Sequence, residues 1–255
     1  MNLRLMPLLC LLAVLSPHVW AGAFAERVVS VTFGSPRDAS FGDVSKALGP
    51  PRAYDTLGLG GSEDVVNIGI GGEIMLEFVN QVIYDGPGSD FTVFENPFFI
   101  GGDFSRVFLE PGIVFVSSDG DRYTSFPIDY TPPDPPTAGG DDNPDNYKGF
   151  AGIRPVFANP DFGISAFDPG VSGGDQFDLA DIRERAKLQG VDVNNIRFIR
   201  IRDIRRGIDR DDDGDIIPGT TYPLANGFDL DAIAGIHTRP VEDILGCSGR
   251  WAFYE

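Results

Sequence analysis

The sequence predicts an all-β sandwich carrying one or two short helices. Short runs rich in Val, Ile, Thr and Phe recur along the chain, several with apolar–polar alternation. Turn chemistry separates them, drawn from 32 glycines and 20 prolines. Only one longer stretch has helical apolar spacing, and neither a repeat of fixed period nor a linker divides the chain. Residues 26–255 are therefore expected to form one domain, with 240–255 as a C-terminal tail.

Taken in order, Arg27 to Phe33 (RVVSVTF) is β-branched and bounded by Gly34 and Pro36, which predicts a first strand. A short helix should follow, with Ser40 as its cap, Asp43 three residues on and Gly49-Pro50-Pro51 as its stop. Residues 57–72 are glycine-rich but match neither G-x-G-x-x-G nor G-x-x-x-x-G-K, and no helical pattern follows. Turns or bulges feeding a strand account for them. Glu73 to Val79 alternates, with Ile74, Leu76 and Phe78 on one face. In Asp90 to Glu95, Phe91, Val93 and Glu95 share one face and Thr92 and Phe94 the other.

Ile113–Ser117 and Arg122–Phe126 flank Ser118-Asp119-Gly120-Asp121, a hairpin signal with Asp-Gly at its centre. Residues 129–147 form a long acidic, proline-rich loop whose Asp134, Asp141, Asp142 and Asp145 suit either a second ion or solvent. Phe177 to Gln189 is the best helix, with Asp178 as cap and Gly190 as terminator. Asn195 to Ile204 then returns to strand, with Ile199, Ile201 and Asp203 facing one way. Phe228 to His237 supplies a last strand.

Residues 1–25 read as an export signal: Arg4 precedes an apolar run from Leu5 to Leu15, and Ala23-Phe24-Ala25 is an A-x-A cleavage site. That run is shorter than the roughly 20 residues a membrane helix needs, and no second long apolar segment follows. The expected location is outside the cytoplasm, whether secreted, periplasmic or at the cell surface, with no membrane span in the mature chain. A net charge of −18 disfavours nucleic acid and anionic lipid and favours divalent cations. Of the two cysteines only Cys247 lies beyond the signal, so the mature chain has no internal disulfide; a buried, inert thiol is expected there.

The chemistry centres on 195–236. Asp209, Asp211, Asp213, Gly214 and Asp215 follow D-x-D-x-D-G with a carboxylate at the seventh position, the spacing of a calcium loop. Alternate carboxylates converge there, and a hard cation relieves repulsion of about 1 kcal/mol per close pair even in water. The twelfth position is Thr220 where a bidentate Glu would stand, so Asp203, Asp229 or Asp231 would have to complete the shell. The competing reading is a solvated acidic loop neutralised by Arg205, Arg206 and Arg210. With no apolar helix on either side, the turn would join two strands, and its calcium would clamp the fold.

Gly170-Val171-Ser172-Gly173-Gly174 satisfies G-x-S-x-G, but it lacks the preceding apolar strand and following helix of a nucleophile elbow. His237 is the one histidine beyond the signal, which excludes His-rich zinc sites. Glu77 and Glu95 both lie on expected strands, and desolvation beside Phe91 and Val93 would raise the Glu95 pKa. A carboxylate pair of that sort would suit glycan hydrolysis.

Five segments occur together: GPGSDFTVFEN (86–96), VSSDG (116–120), GGDQFDL (173–179), IRIRDI (199–204) and GFDLDAI (227–233). As a set they resemble an exported bacterial family of cell-surface proteins, some members of which carry a sorting segment of the PEP-CTERM kind. The resemblance spans roughly residues 28–236. It implies a jelly-roll-like β-sandwich, similar in outline to galactose-binding-like modules, and it brings no established activity. It also places Asp203, Asp229 and Asp231 in recurring motifs, as structural or metal-linked groups. A sorting tail is not seen in the sequence, so surface anchoring is not expected from the resemblance.

The expectation is thus a non-catalytic, calcium-stabilised surface module whose partners are carbohydrate or other envelope components. Enzymatic activity is left open but less favoured. The alternatives are a secreted, carboxylate-dependent glycan hydrolase and a purely structural envelope or matrix protein.

Overall fold

The computed structural model describes residues 23–134, 141–218 and 226–241. Nine strands build two antiparallel sheets: β1 Ala23–Phe24, β2 Arg27–Thr32, β3 Glu73–Glu77, β4 Phe91–Phe94, β5 Gly112–Ser117, β6 Thr124–Ser125, β7 Asp175–Phe177, β8 Phe198–Asp203 and β9 Ala232–Gly235. One sheet runs β6-β5-β8-β3-β2 and the other β1-β9-β4-β7. Their facing sides share one core, so the fold is the expected all-β sandwich. Ile74, Leu76 and Phe78, with Val114, Val116, Ile199 and Ile201, meet Phe91, Val93, Phe177 and Ile233 there. Phe91 stacks on Phe177 with centroids 5.2 Å apart, and Phe126 meets both rings edge-on. Aromatic packing of this kind adds to the burial of apolar area.

The alternation read from the sequence sets these faces. In β8 the buried positions are Ile199, Ile201 and Asp203, while Phe198, Arg200 and Arg202 are half-buried. Strand β4 is buried on both faces, because Ala53, Val156, Ala158 and Ala166 cover Phe94, Ala232 and Ala234 on the outer side. The β5–β6 hairpin turns through Asp119-Gly120, and Gly120 has φ 85°. Asp119 accepts hydrogen bonds from the Asp121 and Arg122 N–H groups, so the turn side chain serves its own backbone.

Two local expectations need correction. Ser40 does not cap a helix. Asp38 caps a 3-10 turn at Ala39–Phe41 and Asp43 caps a second at Val44–Ala47, because a carboxylate accepts more strongly than a hydroxyl. The predicted helix at Phe177–Gln189 gives up Phe177 to β7, begins as a 3-10 turn at Leu179–Ile182 and becomes α1 only at Arg183–Gln189. The Leu179 N–H is drawn to Asp90 Oδ2 (2.7 Å), and Leu179, Ile182 and Ala186 all enter the core. Asp178 and Gly190 cap the two ends as expected. At the start of the described residues β1 pairs with β9, Phe24 packs on Phe167 with centroids 4.7 Å apart, and Ala25 is buried.

The acidic loop is ordered at its base, where Asp129–Tyr130 pairs with Tyr147–Lys148 and Tyr130 packs on Tyr147. Asp134 and Asp141 bound the part that is not described, and Thr220 and Cys247 also lie outside the described residues.

Asp175 on β7 is buried, and its Oδ2 accepts from the Ile153 N–H at 2.9 Å. Burial outweighs that donor and pushes its pKa up to about 7. At pH 4–7 the unfolded chain gives up this proton while the folded protein keeps it, so this group makes stability fall as pH rises. The slope is up to about 1.4 kcal/mol per pH unit. Asp175→Asn keeps an acceptor oxygen and should remove that component. Urea denaturation of both proteins at several pH values between 4 and 7 checks it; parallel curves would contradict it.

Candidate metal centre

The seven aspartates singled out from the sequence do not converge on one point. Asp209 turns back toward its own strand. Its carboxylate accepts from the Arg205 N–H at 2.8 Å and pairs with the Arg205 and Arg202 guanidinium groups. Burial pushes its pKa up, and these hydrogen bonds outweigh burial and hold it below the usual range. Asp211 Oδ1 accepts from the Gly214 and Asp215 N–H groups and its Oδ2 from the Tyr130 N–H. The Asp211 N–H in turn donates to the Asp215 carbonyl. The acidic turn therefore closes on its own backbone, and arginines supply much of its counter-charge. They are Arg202 and Arg205 on Asp209, with Arg185 on Asp212. Of the three arginines named from the sequence, Arg205 takes that part, while Arg210 donates to the Gly214 carbonyl.

Asp203 ends β8 on the buried face, as its position implied. Its Oδ2 accepts from the Gly71 N–H (2.8 Å) and its Oδ1 from the Phe228 N–H (2.9 Å), so both oxygens are spent joining two loops. Burial raises its pKa to about 7. Asp231 accepts from the Arg52 N–H at 2.8 Å, its other oxygen is buried without a partner among the described residues, and burial raises its pKa to about 8.

Carboxylates do gather elsewhere. Three groups place an oxygen from each member within 4.8 Å of the others: Asp85/Asp90/Asp178, Asp129/Asp211/Asp213 and Glu95/Glu110/Asp229. Acidic clusters that could hold a metal ion are thus present. Neither Asp203, Asp209, Asp215 nor Asp231 belongs to one. In the first group Arg183 pairs with Asp85 and His237 Nδ1 lies 2.7 Å from Asp90 Oδ1. In the second, Lys148 pairs with Asp129, and both Asp129 and Asp213 are exposed.

The third group is less compensated: among the described residues Arg206 is the one cation whose charge is seen to act on it, at Glu110, where it opposes burial and the neighbouring carboxylates. Glu95 follows β4, Glu110 lies between Leu109 and Pro111 ahead of β5, and Asp229 sits on a short ladder pairing Asp229–Leu230 with Val66–Asn67. Glu95 and Glu110 are 1% and 2% exposed. Backbone groups hold them in place. The Asp229 N–H donates to Glu95 Oε1 at 2.9 Å and the Gly227 N–H to Glu110 Oε1 at 3.0 Å. Gly227 is required there, since it has φ 98° and an added Cβ would lie 2.4 Å from the Gly69 carbonyl carbon. Asn67, opposite Asp229 in the ladder, donates to Asp229 Oδ1 at 2.6 Å and to the Gly227 carbonyl.

Glu95 Oε2 is buried beside these carboxylates with no hydrogen-bond partner among the described residues. Burial raises the Glu95 pKa well above the usual range, and the charges of Glu110 and Asp229 raise it further. Burial and the Asp229 charge do the same to Glu110. Burial, opposed by the Asn67 and Asn96 amides, takes Asp229 to about 6.

The desolvation expected of Glu95 is therefore present, but Glu77 is not its partner. Glu77 is buried on β3 and paired with Arg27 and Arg197. Ser172 of the G-x-S-x-G segment is buried and donates its hydroxyl to the Gly173 carbonyl, so it is not presented as a nucleophile. Glu110 was not singled out from the sequence. Its signal is a lone carboxylate in the apolar run VFLEPGIVFV, where an uncompensated charge is costly. No protein-family model matches this chain, and no curated protein or solved structure matches it.

Replacing Asp203 by Ala would leave the Gly71 and Phe228 N–H groups buried without acceptors, at about 1–3 kcal/mol each. The raised pKa of Asp203 shows that its own burial offsets part of that. Asp203→Ala is expected to lower the unfolding free energy by about 2 kcal/mol, and Asp203→Asn by less. Urea denaturation checks the order; an Ala variant as stable as the parent would contradict it.

Proposed function

We propose that this chain is an exported, non-catalytic β-sandwich module stabilised by calcium, with Glu95, Glu110 and Asp229 as the anionic ligands. The observation that carries the reading is the buried, unpartnered Glu95 Oε2 beside two further carboxylates. Within 4.8 Å and at an effective dielectric of about 20, each ionised pair repels by at least about 3.5 kcal/mol. A divalent cation turns this repulsion into attraction and gives the orphan oxygen a partner. All three donors are oxygens, which suits a hard ion, and among the described residues no His or Cys joins them as zinc would favour. Magnesium holds several waters in a strict octahedron, whereas calcium accepts the irregular set that three segments of chain provide.

The calcium expected at the D-x-D-x-D-G turn is in this reading held elsewhere, with Asp229 the one ligand common to both sets. A hydrolase would need two carboxylates on either side of a substrate bond, about 5 Å or more apart with room between them. Here the carboxylates crowd together, and the two glutamates are buried. Attachment to carbohydrate or other envelope material is the role such a module would serve.

Thermal unfolding with calcium and with a chelator tests the reading. An ion present at about a hundred times its Kd stabilises by about 2.7 kcal/mol, a rise in Tm of about 5–10 °C for a domain of this size. Glu95→Gln and Glu110→Gln should lose the rise, while Asp211→Ala should keep it. An unchanged Tm at saturating calcium would leave the purely structural envelope role. Loss of the rise in Asp211→Ala alone would return the ion to the acidic turn.

A further inference from the structure

Glu110 and Asp229 also line a cavity of about 170 Å3, together with Phe41, Phe98, Phe108, Asn96 and Asn226. Resting on the calcium reading above, we propose that this cavity is a calcium-dependent binding site for a single neutral sugar ring, which gives the ion two adjacent hydroxyl oxygens.

Four observations carry the proposal. The first is the coordination count. Calcium takes six to eight oxygens. Glu95 Oε1, Glu110 Oε1 and Asp229 Oδ1 each already accept a protein hydrogen bond. Three carboxylates used in this way do not fill the shell, and the remaining positions belong to whatever occupies the cavity. Water or a pair of vicinal hydroxyls meets the same geometric need.

The second is room. Liquid water takes about 30 Å3 per molecule, so 170 Å3 holds a handful of waters or one six-membered ring with its hydroxyls. Pockets for larger ligands begin at about 300 Å3. The third is the lining. Phe98 and Phe108 pair across a two-residue ladder and stack with centroids 5.1 Å apart and planes 10° apart, and Phe41 joins them at the wall. Apolar ring faces suit the C–H face of a sugar, while the Asn96 and Asn226 amides suit its hydroxyls.

The fourth is charge. Asp38 joins Glu110 and Asp229 on the wall, and Glu95, the fourth carboxylate, has an oxygen within 4.8 Å of the last two. Four negative charges against two on the ion and one on Arg206 still leave the site anionic, which repels uronic acids, sialic acids and phosphates. A neutral ligand is selected.

The test uses the mature protein, with neutral hexoses and their methyl glycosides titrated by calorimetry in calcium and in chelator. Immobilised glycans ending in the same sugars form a second arm, which distinguishes free sugar from a glycan terminus. Calcium-dependent binding in the millimolar range is expected, as for a single ring. Phe98→Ala and Phe41→Ala should each weaken it about three- to tenfold, and Glu95→Gln should abolish it. A calcium-dependent rise in Tm with no sugar bound would overturn this proposal and leave the calcium reading standing. Absence of both the rise and sugar binding would remove the calcium reading and this proposal with it. Sugar binding that survives the chelator would overturn the direct contact with the ion.

Discussion

Short strands leave many backbone N–H groups outside any ladder, and in this protein buried carboxylates accept several that join distant segments. Asp90 takes the Gly86 and Leu179 N–H groups, Asp175 those of Ile153 and Arg154, and Asp203 those of Gly71 and Phe228. Asp231 takes Arg52, Glu95 takes Asp229 and Glu110 takes Gly227. Each joins segments far apart in sequence, except that Asp90 also closes its own turn. A carboxylate accepts several donors at once, which a backbone carbonyl inside a two-residue ladder does not do as well. The cost is desolvation of the charge, visible in the raised pKa values of Asp90, Asp175, Asp203 and Asp231. The acidity of the chain is therefore an internal feature as much as a surface one.

The fold was legible where period and turn chemistry are local. The alternation of Ile74, Leu76 and Phe78, the Asp119-Gly120 hairpin and the burial of Asp203 with Ile199 and Ile201 all follow from a two-residue period. Capping was less legible, because Asp38 and Ser40 carry similar signals two residues apart and the stronger acceptor prevailed. The acidic turn was ambiguous for a related reason. Its carboxylates fit an ion's spacing and equally fit the N–H groups and arginines that flank them, and Arg202, on the strand before the turn, is one of those partners. The Glu95/Glu110/Asp229 group could not be read at all as a group. Its members come from three stretches that only the folded sheets bring together.

That origin also separates this group from the other two. A charged side chain on a surface turn finds solvent or an arginine nearby, as Asp129 and Asp212 do. Glu110 has no solvent: Leu109 and Pro111 beside it are themselves buried, two other carboxylates crowd it, and the Gly227 N–H and the Arg206 charge only partly offset them. Where a structure holds like charges together without solvent, either protons or a cation must be shared among them.

The Glu95–Asp229 and Glu110–Gly227 hydrogen bonds close loops of 134 and 117 residues. Contacts of such separation are among the slowest to form, because most of the chain must be placed before they are rewarded. A cation held by them would bind after the rate-limiting step of folding, and so leave the folding rate almost unchanged. It would act on the reverse process, lengthening the lifetime of the native state. For the exported module proposed above, slow unfolding would be the form of stability that counts.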